Sequence, residues 1–472
     1  MDEVIHVVGD QSCYHSAMKK TRIVSIGMLL VGAGAMAIGL LPQPALVLAQ
    51  MRGNVVEVTD AASLSSAVLW ARAGTTIRLA AGDYPRLVVR REIDGQPIRI
   101  TGPRGARIDQ AVFLKAAGWH LDGVTIIGGT GRLMPLDIAS SRNIVVSNVH
   151  LTGATPGPGP DNEDSNGLVV RGSEAIVFAG SEVDHVKQIA GIRDSFGVVI
   201  EGNRFTNARE GLMVRATHGL AIRNNLFQGW RPRFDKFEHP DMIQFFTQHV
   251  PTGSSMVTIQ GNYLSAGEDR AVQGIFIRAE AYEAGREPMG YHRNFVISDN
   301  VYFGSSRHGI STTNIRGLII ENNTVIGSPH AFTGNVPRDP TGKSSYGWQP
   351  AILVAGKSWG RASNNIAALM AIRPEVVGMQ DINNFVYKPR DLPDGRNPGN
   401  SFNAPLTAGD LPISAFAIRP GSDAARHQRG ADVRKVGPEA AVRDLQTLAG
   451  EAATLAANAR LQDLTKDPPL PK

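Results

Sequence analysis

The chain has 472 residues, including 51 glycines and 28 prolines, and 42% of its residues are hydrophobic. This composition is typical of a globular, turn-rich protein and excludes a disordered chain. The formal net charge of +5 is small for this length, so it gives no reason to expect a nucleic-acid partner, although it permits a basic face that binds a polyanion.

Residues 1–49 are predicted to form a leader that is removed from the mature protein. The sequence MKKTR, beginning at Met18, is the expected start, and it precedes an apolar run at residues 23–41. Residues 47–49 then provide a small-residue cleavage site. An uncleaved membrane anchor is the alternative, because the run approaches the length of a span. The two prolines that follow the run favour removal.

Removal of this leader has consequences for the chemistry of the mature protein. It would discard Cys13, the single cysteine, and with it any disulfide or cysteine-based metal site. We therefore expect an exported protein, periplasmic or extracellular, with no stable membrane span. We also expect a monomer without an organic cofactor and without a nucleic-acid partner.

A repeat of about 22 residues organises the chain. Its clearest copy is GLMVRATHGLAIRNNLFQG at residues 211–229, which predicts three short strands separated by turns. One turn position recurs as Asn148, Ser181, Asn203, Asn225, Asn262, Asn300, Asn323 and Asn365. Three short strands per coil predict a right-handed parallel β-helix, and a β-sandwich is the less favoured alternative. Stacked Asn side chains would form a hydrogen-bonded ladder.

The repeat also sets the predicted domain boundaries. The β-helix should occupy residues 50–385, and a capping helix that begins after Asp60 should cover its N-terminal end. Residues 386–472 are predicted to form an irregular segment that packs along the solenoid side, followed by a helix at residues 438–464. This helix is interpreted either as a terminal cap or as a separate tail.

The long inserted loops point to one face. Loops at 154–165, 230–240 and 328–349 precede a first strand of the coil, and a loop at 278–293 follows one. Insertions gathered on one side of a repeat scaffold usually mark its binding face. We therefore expect the ligand to lie along the first strands.

Arginine ends the first strand in four coils: Arg171, Arg193, Arg215 and Arg278. The first three are spaced 22 residues apart, so they should stack on successive coils. A row of guanidinium groups suits a row of carboxylates, because each guanidinium can bind one carboxylate in bidentate fashion. The alternative is a surface ladder neutralised by the nearby acidic residues Glu174, Asp194 and Glu210.

The densest polar cluster is FDKFEHPDMIQFF at residues 234–246. Its candidate residues are Asp235, Lys236, Glu238, His239, Asp241 and Gln244. The three acidic residues could hold Ca²⁺, although no dedicated calcium-loop spacing is present. Lys236 or His239 could act as general base or acid. The alternative is a solvated loop in which Asp241, aligned with Gly211 of the preceding coil, caps a strand. His218 and His292 are further polar candidates in turns.

These features resemble the pectate-lyase superfold, which includes polysaccharide lyases and alginate epimerases. The resemblance rests on the coil pattern, the leader and the stretch DAASLSSAVLWARAGTTIRLAAGDY, and it covers about residues 54–385. It implies binding of a uronic-acid polymer on the first-strand face, neutralisation of the substrate carboxylate by Arg or Ca²⁺, removal of the C-5 proton and elimination at O-4.

The resemblance therefore favours a polysaccharide lyase acting on an anionic polysaccharide. Lys236, His239 and Arg215 are of the kinds that this chemistry needs and are the candidate catalytic residues, although they do not match a single family motif one by one. The candidate substrate-binding residues are Arg171, Arg193, Arg278, Asp241, Gln244, His218 and His292. The chain lacks the DPHD motif of periplasmic alginate epimerases, for which the segment at residues 238–241 is the nearest match. It also lacks the NTDG motif of polygalacturonases. A C-5 epimerase, a glycoside hydrolase or a non-catalytic carbohydrate-binding protein remain alternatives.

Overall fold

The strands form three sheets that the chain visits in the same order in every coil. The computed structural model describes residues 51–52, 54–128, 134–153, 165–233, 240–267, 272–327, 350–386, 401–403 and 410–462. All of these lie within the unit Ala45–Lys472.

Each sheet collects the corresponding strand of successive coils. Over the described ranges, the first sheet contains Leu87–Val89, Ala111–Leu114, Leu136–Ala139, Asn166–Arg171, Gln188–Arg193, Glu210–Arg215, Asp241–Phe245, Gln273–Ile277, His308–Thr313, Ala351–Ala355 and Leu369–Ile372. The second contains Met51–Arg52, Val55–Val58, Thr76–Leu79, Ile98–Thr101, Ala117–Asp122, Arg142–Ser147, Glu174–Ala179, Phe196–Glu201, His218–Arg223, Ser255–Gln260, His292–Ser298, Ile315–Glu321, Trp359–Ser363 and Met379–Ile382. The third contains Gly82–Tyr84, Ala106–Ile108, Thr125–Ile127, His150–Thr152, Glu182–Asp184, Arg204–Thr206, Leu226–Gln228, Tyr263–Ser265, Val301–Gly304, Thr324–Gly327, Ile366–Ala367 and Phe385–Val386.

This architecture confirms the predicted parallel β-helix. Neighbouring strands pair in parallel, except that Met51–Arg52 pairs antiparallel with Val55–Val58. Within a coil, alternate apolar side chains point inward, as the period of a half-buried strand requires. In the coil at residues 210–228 the buried residues are Leu212, Val214, Leu220, Ile222 and Phe227. They belong to one continuous core that runs the length of the solenoid.

An asparagine ladder holds successive coils in register. The side-chain carbonyl of Asn225 accepts hydrogen bonds from the backbone N–H of Asn203 at 3.0 Å and from its side-chain amide at 2.9 Å. The same arrangement repeats through Asn262, Asn300, Asn323, Asn365 and Asn384. Asn148 was wrongly aligned with this ladder. It lies one position earlier, opposite Gly180, and its amide donates to Asp122 instead.

Four α-helices are described: α1 (Ala61–Trp70), α2 (Glu280–Glu283), α3 (Asp423–Arg426) and α4 (Leu445–Leu461), with short 3-10 helices at Ile413–Phe416, Val433–Lys435 and Pro438–Ala440. Helix α1 begins with a capping box between Asp60 and Ser63 and buries Leu64, Ala67 and Val68 against the first coils, as a capping helix should. Within the described ranges, no helix combines the length and the apolar character needed to cross a membrane.

Helix α4 is neither a terminal cap nor a separate tail. It lies on the outer face of the second sheet, where Leu448 and Ala452 are buried against Val177, Val199 and Ala221. Close approach is possible because two glycines of the sheet adopt positive φ. A Cβ on Gly197 would stand 2.1 Å from the carbonyl oxygen of Ala452, and one on Gly219 would stand 2.6 Å from that of Leu455.

The segment before α4 covers the third sheet. Phe402, Phe416 and Ala431 pack against sheet residues that include Tyr263 and Phe303. In the central coils, the second and third sheets are therefore covered by the C-terminal part of the chain. Among the described residues, the C-terminal part does not cover the outer face of the first sheet, which is therefore the candidate face for a ligand.

Candidate functional site

An arginine column runs along one edge of the first sheet. Arg171 pairs with Arg193, and Arg193 pairs with Arg215, on three adjacent strands. Since neighbouring strands lie about 4.8 Å apart, the three Cα atoms form a closely spaced row. The 22-residue spacing in the sequence is reproduced in space. Arg278 ends a strand two coils further along the same edge.

The outer members of this column are neutralised. Arg171 binds Asp137 in bidentate fashion, with Nε and Nη2 at 3.2 and 2.7 Å from the two carboxylate oxygens. Arg278 donates from Nε to Glu283 at 2.8 Å. For these two residues the structure supports the alternative of a neutralised ladder, although the acids differ from those expected. Glu174, for example, lies on the second sheet and pairs with Arg460 of α4.

The central pair is different. Neither Arg193 nor Arg215 forms an ion pair or a hydrogen bond through its guanidinium with any residue that the structure describes. Arg193 is exposed, and Arg215 lies with its Cζ 5.2 Å from the centre of the Phe246 ring. Burial lowers the pKa of Arg215, and the charge of Arg193 lowers it further. The Asp194 carboxylate acts on Arg215 in the opposite direction, but it forms no ion pair with it. Two adjacent guanidinium groups with unoccupied N–H donors are suited to an anionic group.

The middle of the outer face is a floor that runs along the solenoid. Register places Gly191, Met213, Gln244, Phe276 and Ser311 in one column. Gly191 has no side chain, so no group projects from the floor at this position. A Cβ there would stand 3.0 Å from the Gln188 amide nitrogen. Gln244, a predicted binding residue, thus lies on the outer face of the first sheet, next to the arginine edge.

A second polar column lines the opposite edge, where the strands begin. It contains Gln188, Glu210, Asp241, Gln273 and His308. Asp241 was expected to align with Gly211, but the pairing of Leu212 with Ile243 places it opposite Glu210. His308 lies within 2.7 Å of the Ser311 hydroxyl through Nδ1, and its ring meets Phe276 edge to face at 5.3 Å.

Basic residues precede three of these strands. Lys187, Arg209 and Arg307 each come directly before the first residue of a strand, on the same edge as Glu210 and Asp241. Arg209 is buried, whereas Lys187 and Arg307 are partly exposed. Lys187 and Arg209 were not among the predicted site residues. They are also 22 residues apart, and this spacing could have predicted that they stack on successive coils. Glu210 and His308 were also missed as site residues, because no inserted motif surrounds them.

Some predicted site residues lie elsewhere. Lys236 and His239, together with Asp235 and Glu238, fall outside the described residues. His218 and His292 begin strands of the second sheet, not the first. The structure therefore corrects their predicted binding role.

Both histidines are buried in structural roles. The Nδ1 atom of His218 lies 2.8 Å from the Ser255 hydroxyl, and its ring stacks on Phe196. His292 is 0% exposed, accepts from the Ser254 N–H at 3.0 Å and contacts the Arg278 carbonyl at 3.1 Å. Burial lowers the pKa of each to about 4, so both are neutral at physiological pH.

Calcium binding stays a prediction. Two of its three proposed ligands, Asp235 and Glu238, are not described, and the third, Asp241, has Glu210 as its acidic neighbour in the column. The described part of the chain contains no group of three or more His, Cys, Asp or Glu residues arranged to hold a metal ion.

Comparison with known proteins is consistent with this architecture. Residues 136–325 match the family model described as the right handed beta helix region. The chain is a right-handed parallel β-helix protein. The resemblance to the pectate-lyase superfold is thereby confirmed for the fold. A comparison with curated proteins finds no match.

Several solved β-helix structures are similar to the chain at low identity. The PL6 family alginate lyase AlyGC is 14% identical with a TM-score of 0.43, over 81% of this chain and 57% of that one. The A-module of the mannuronan C-5 epimerase AlgE6 from Azotobacter vinelandii is 13% identical with a TM-score of 0.41, over 69% and 93%. PfbA, a surface adhesin of Streptococcus pneumoniae, is 11% identical with a TM-score of 0.41, over 69% and 86%.

Proposed function

We propose that this protein is an exported polysaccharide lyase that cleaves a uronic-acid polymer by β-elimination. The observation that supports the proposal is the Arg193–Arg215 pair, two adjacent cations that form no ion pair with any described residue. The pair lies on the sheet that the described C-terminal residues do not cover. Guanidinium groups bind carboxylates through paired N–H donors, so a uronate suits this edge. Lys187, which is partly exposed on the opposite edge, adds attraction for a polyanion.

The proposed reaction begins with loss of the proton at C-5 of the sugar. The electron pair of that C–H bond forms the C4–C5 double bond, the C4–O bond breaks, and the leaving oxygen takes up a proton. Negative charge develops on the carboxylate in the transition state. Because Arg215 lies against the Phe246 ring before the substrate binds, it stabilises this charge more than that of the ground state, and the adjacent Arg193 adds to the positive potential.

The proton acceptor must stand within hydrogen-bond reach of C-5. Lys236 and His239 remain candidates from the sequence. Lys187 and His308 are added because they lie at the strand-start edge, across the floor from Arg215. Five residues separate the two edges along a strand, which corresponds to roughly 16 Å. This width leaves room for a sugar ring between the two edges.

The test is ultraviolet absorbance of the unsaturated product with a panel of polyuronates. Arg215→Ala and Arg193→Ala should each lower kcat/KM by about 100-fold, the typical loss of one preorganised donor. Arg171→Ala is the matched control, since Asp137 already neutralises this arginine, and it should change kcat/KM by less than about 3-fold.

The absence of an unsaturated product on every polymer would overturn the lyase proposal for those substrates. Analysis of sugar composition in the same samples would then separate an epimerase from a binding protein. An epimerase changes the ratio of the two C-5 epimers, whereas a binder leaves the polymer unchanged. Equal effects of the Arg171 and Arg215 substitutions would show that the unpaired state of Arg215 has no role.

A further inference from the structure

Arg215 differs from the other arginines of its column in what lies beside it. Arg171 is held by the Asp137 carboxylate and Arg278 by that of Glu283, whereas Arg215 faces the ring of Phe246 at 5.2 Å. We infer that Phe246 is a positioning residue, which holds the Arg215 guanidinium on the binding face while leaving its N–H donors available to a carboxylate. The ligand assignment within this inference rests on the proposed function.

The physical argument is the difference between the two kinds of partner. A carboxylate attracts a guanidinium by accepting its N–H donors and cancelling its charge. An aromatic face attracts the same cation through the ring quadrupole, and it accepts none of the in-plane N–H donors. Arg215 therefore keeps both its charge and its hydrogen-bonding capacity. This matters because burial lowers the pKa of Arg215, and the charge of neighbouring Arg193 lowers it further.

Phe246 is itself firmly placed. It directly follows the strand Asp241–Phe245, and its backbone N–H donates to the carbonyl of Val214 at 3.2 Å. The register of that strand puts Phe246 beside Arg215. The ring thus lies next to the guanidinium because of strand pairing, before any ligand is bound.

The next residue ties this position to the inserted loop at 278–291. The N–H of Thr247 donates to Glu280 Oε2 at 2.9 Å, and the N–H of Ala281 donates to Thr247 Oγ1 at 3.0 Å. Thr247 is 0% exposed, so these reciprocal bonds lie in a protected environment. Through these bonds Glu280 and Thr247 connect the loop, which contains α2, to the end of the strand Asp241–Phe245. The loop therefore acts as a support for Phe246.

A purely structural role for Phe246 would be to fill space between the strand and the loop. Two substitutions separate this role from the inferred one. Phe246→Leu keeps an apolar side chain but removes the aromatic face, whereas Phe246→Tyr keeps the face. If Phe246 only fills space, both variants should behave like the wild type, provided that both fold. If it positions Arg215, only the leucine variant should be affected.

The first measurement needs no ligand. Side-chain ¹⁵N–¹H NMR of arginine should show a ring-current shift at Arg215 Nε–H in the wild type and in Phe246→Tyr. The shift should disappear in Phe246→Leu. The Arg193 signal serves as the internal reference, since that side chain has no aromatic neighbour among the described contacts. An unchanged Arg215 signal in Phe246→Leu would overturn the inference.

The second measurement is the affinity for polyuronate, by calorimetry under conditions without turnover. Phe246→Leu should weaken binding about 3- to 30-fold, which corresponds to the usual strength of a cation–π contact. In an Arg215→Ala background the same substitution should have no further effect. Persistence of the full effect without Arg215 would also overturn the inference. A positive NMR result without binding of any polyuronate would instead refute the proposed function and leave the positioning role standing.

Discussion

Arg223 joins the C-terminal helix to the second sheet, and its removal should release that helix. The guanidinium bridges two carboxylates, Glu201 on the same sheet and Glu451 on α4. Its Nη2 lies 2.6 Å from an oxygen of each, and Nη1 lies 2.8 Å from the other oxygen of Glu451. The Glu201 side chain is 1% exposed and that of Arg223 is 19% exposed, so the cluster lies in a poorly solvated environment.

The magnitude follows from this burial. Breaking a buried ion pair by removing one partner typically costs about 3–5 kcal/mol, because the remaining charge has no partner. Arg223→Met should therefore lower the free energy of unfolding by that amount. Replacing Glu201 by Met as well should restore most of the loss, since it removes the buried carboxylate. Arg78→Met is the control: Arg78 pairs with Glu57 on the same sheet, but both side chains are about half exposed, and about 0–1 kcal/mol is expected.

Two assays check this prediction. Urea denaturation measures the free energy of unfolding, and hydrogen exchange measures the protection of α4 amides. Arg223→Met should accelerate exchange in α4 while the asparagine ladder stays protected. A loss below about 1 kcal/mol, equal to that of the exposed pair, would refute the reasoning that burial makes this cluster strong. A larger loss in the double variant than in Arg223→Met would refute the role assigned to Glu201.

Three further outcomes are expected. Gly197→Ala should lower the free energy of unfolding by about 2–4 kcal/mol, because the added methyl group meets the α4 backbone. Gly172 is the control: it also has a positive φ, but a Cβ there meets only a side-chain oxygen at 3.9 Å, so Gly172→Ala should lower the free energy of unfolding by about 1 kcal/mol. Urea denaturation measures both losses. Asn262→Ala should lower the free energy of unfolding by about 2–4 kcal/mol in the same assay, since it leaves buried N–H donors of Asn225 without an acceptor. A loss near zero would contradict a stabilising role of the asparagine ladder. The free energy of unfolding should also fall as the pH drops from 6.5 toward 4. Burial lowers the pKa of three histidines from 6.5 to about 4, so the unfolded chain binds more protons than the folded chain in this range. In His218→Gln, the free energy of unfolding measured by denaturation should depend less steeply on pH. The three histidines are His120, His218 and His292.

The two edges of the candidate site were accessible to the sequence in different degrees. The period of 22 residues identified the arginine column correctly, because a solenoid converts a constant spacing into a row in space. His218 and His292 were proposed as site residues only because they are polar residues in predicted turns. They proved to begin strands of the second sheet, where burial suppresses their protonation. A polar residue in a turn does not reveal which of two sheets it adjoins.

The sequence alone determined the coil, its asparagine ladder and the stacking of Arg171, Arg193 and Arg215, since these depend on spacing along the chain. The tertiary structure decided which arginines are neutralised and which face remains open. Those outcomes depend on contacts between distant residues: Arg223 meets Glu451 of α4, and Phe416 packs on Tyr263. No local pattern records such pairs, because each partner is an ordinary charged or apolar residue in its own segment. Packing of the described C-terminal residues against the second and third sheets makes the first sheet the candidate face for a ligand.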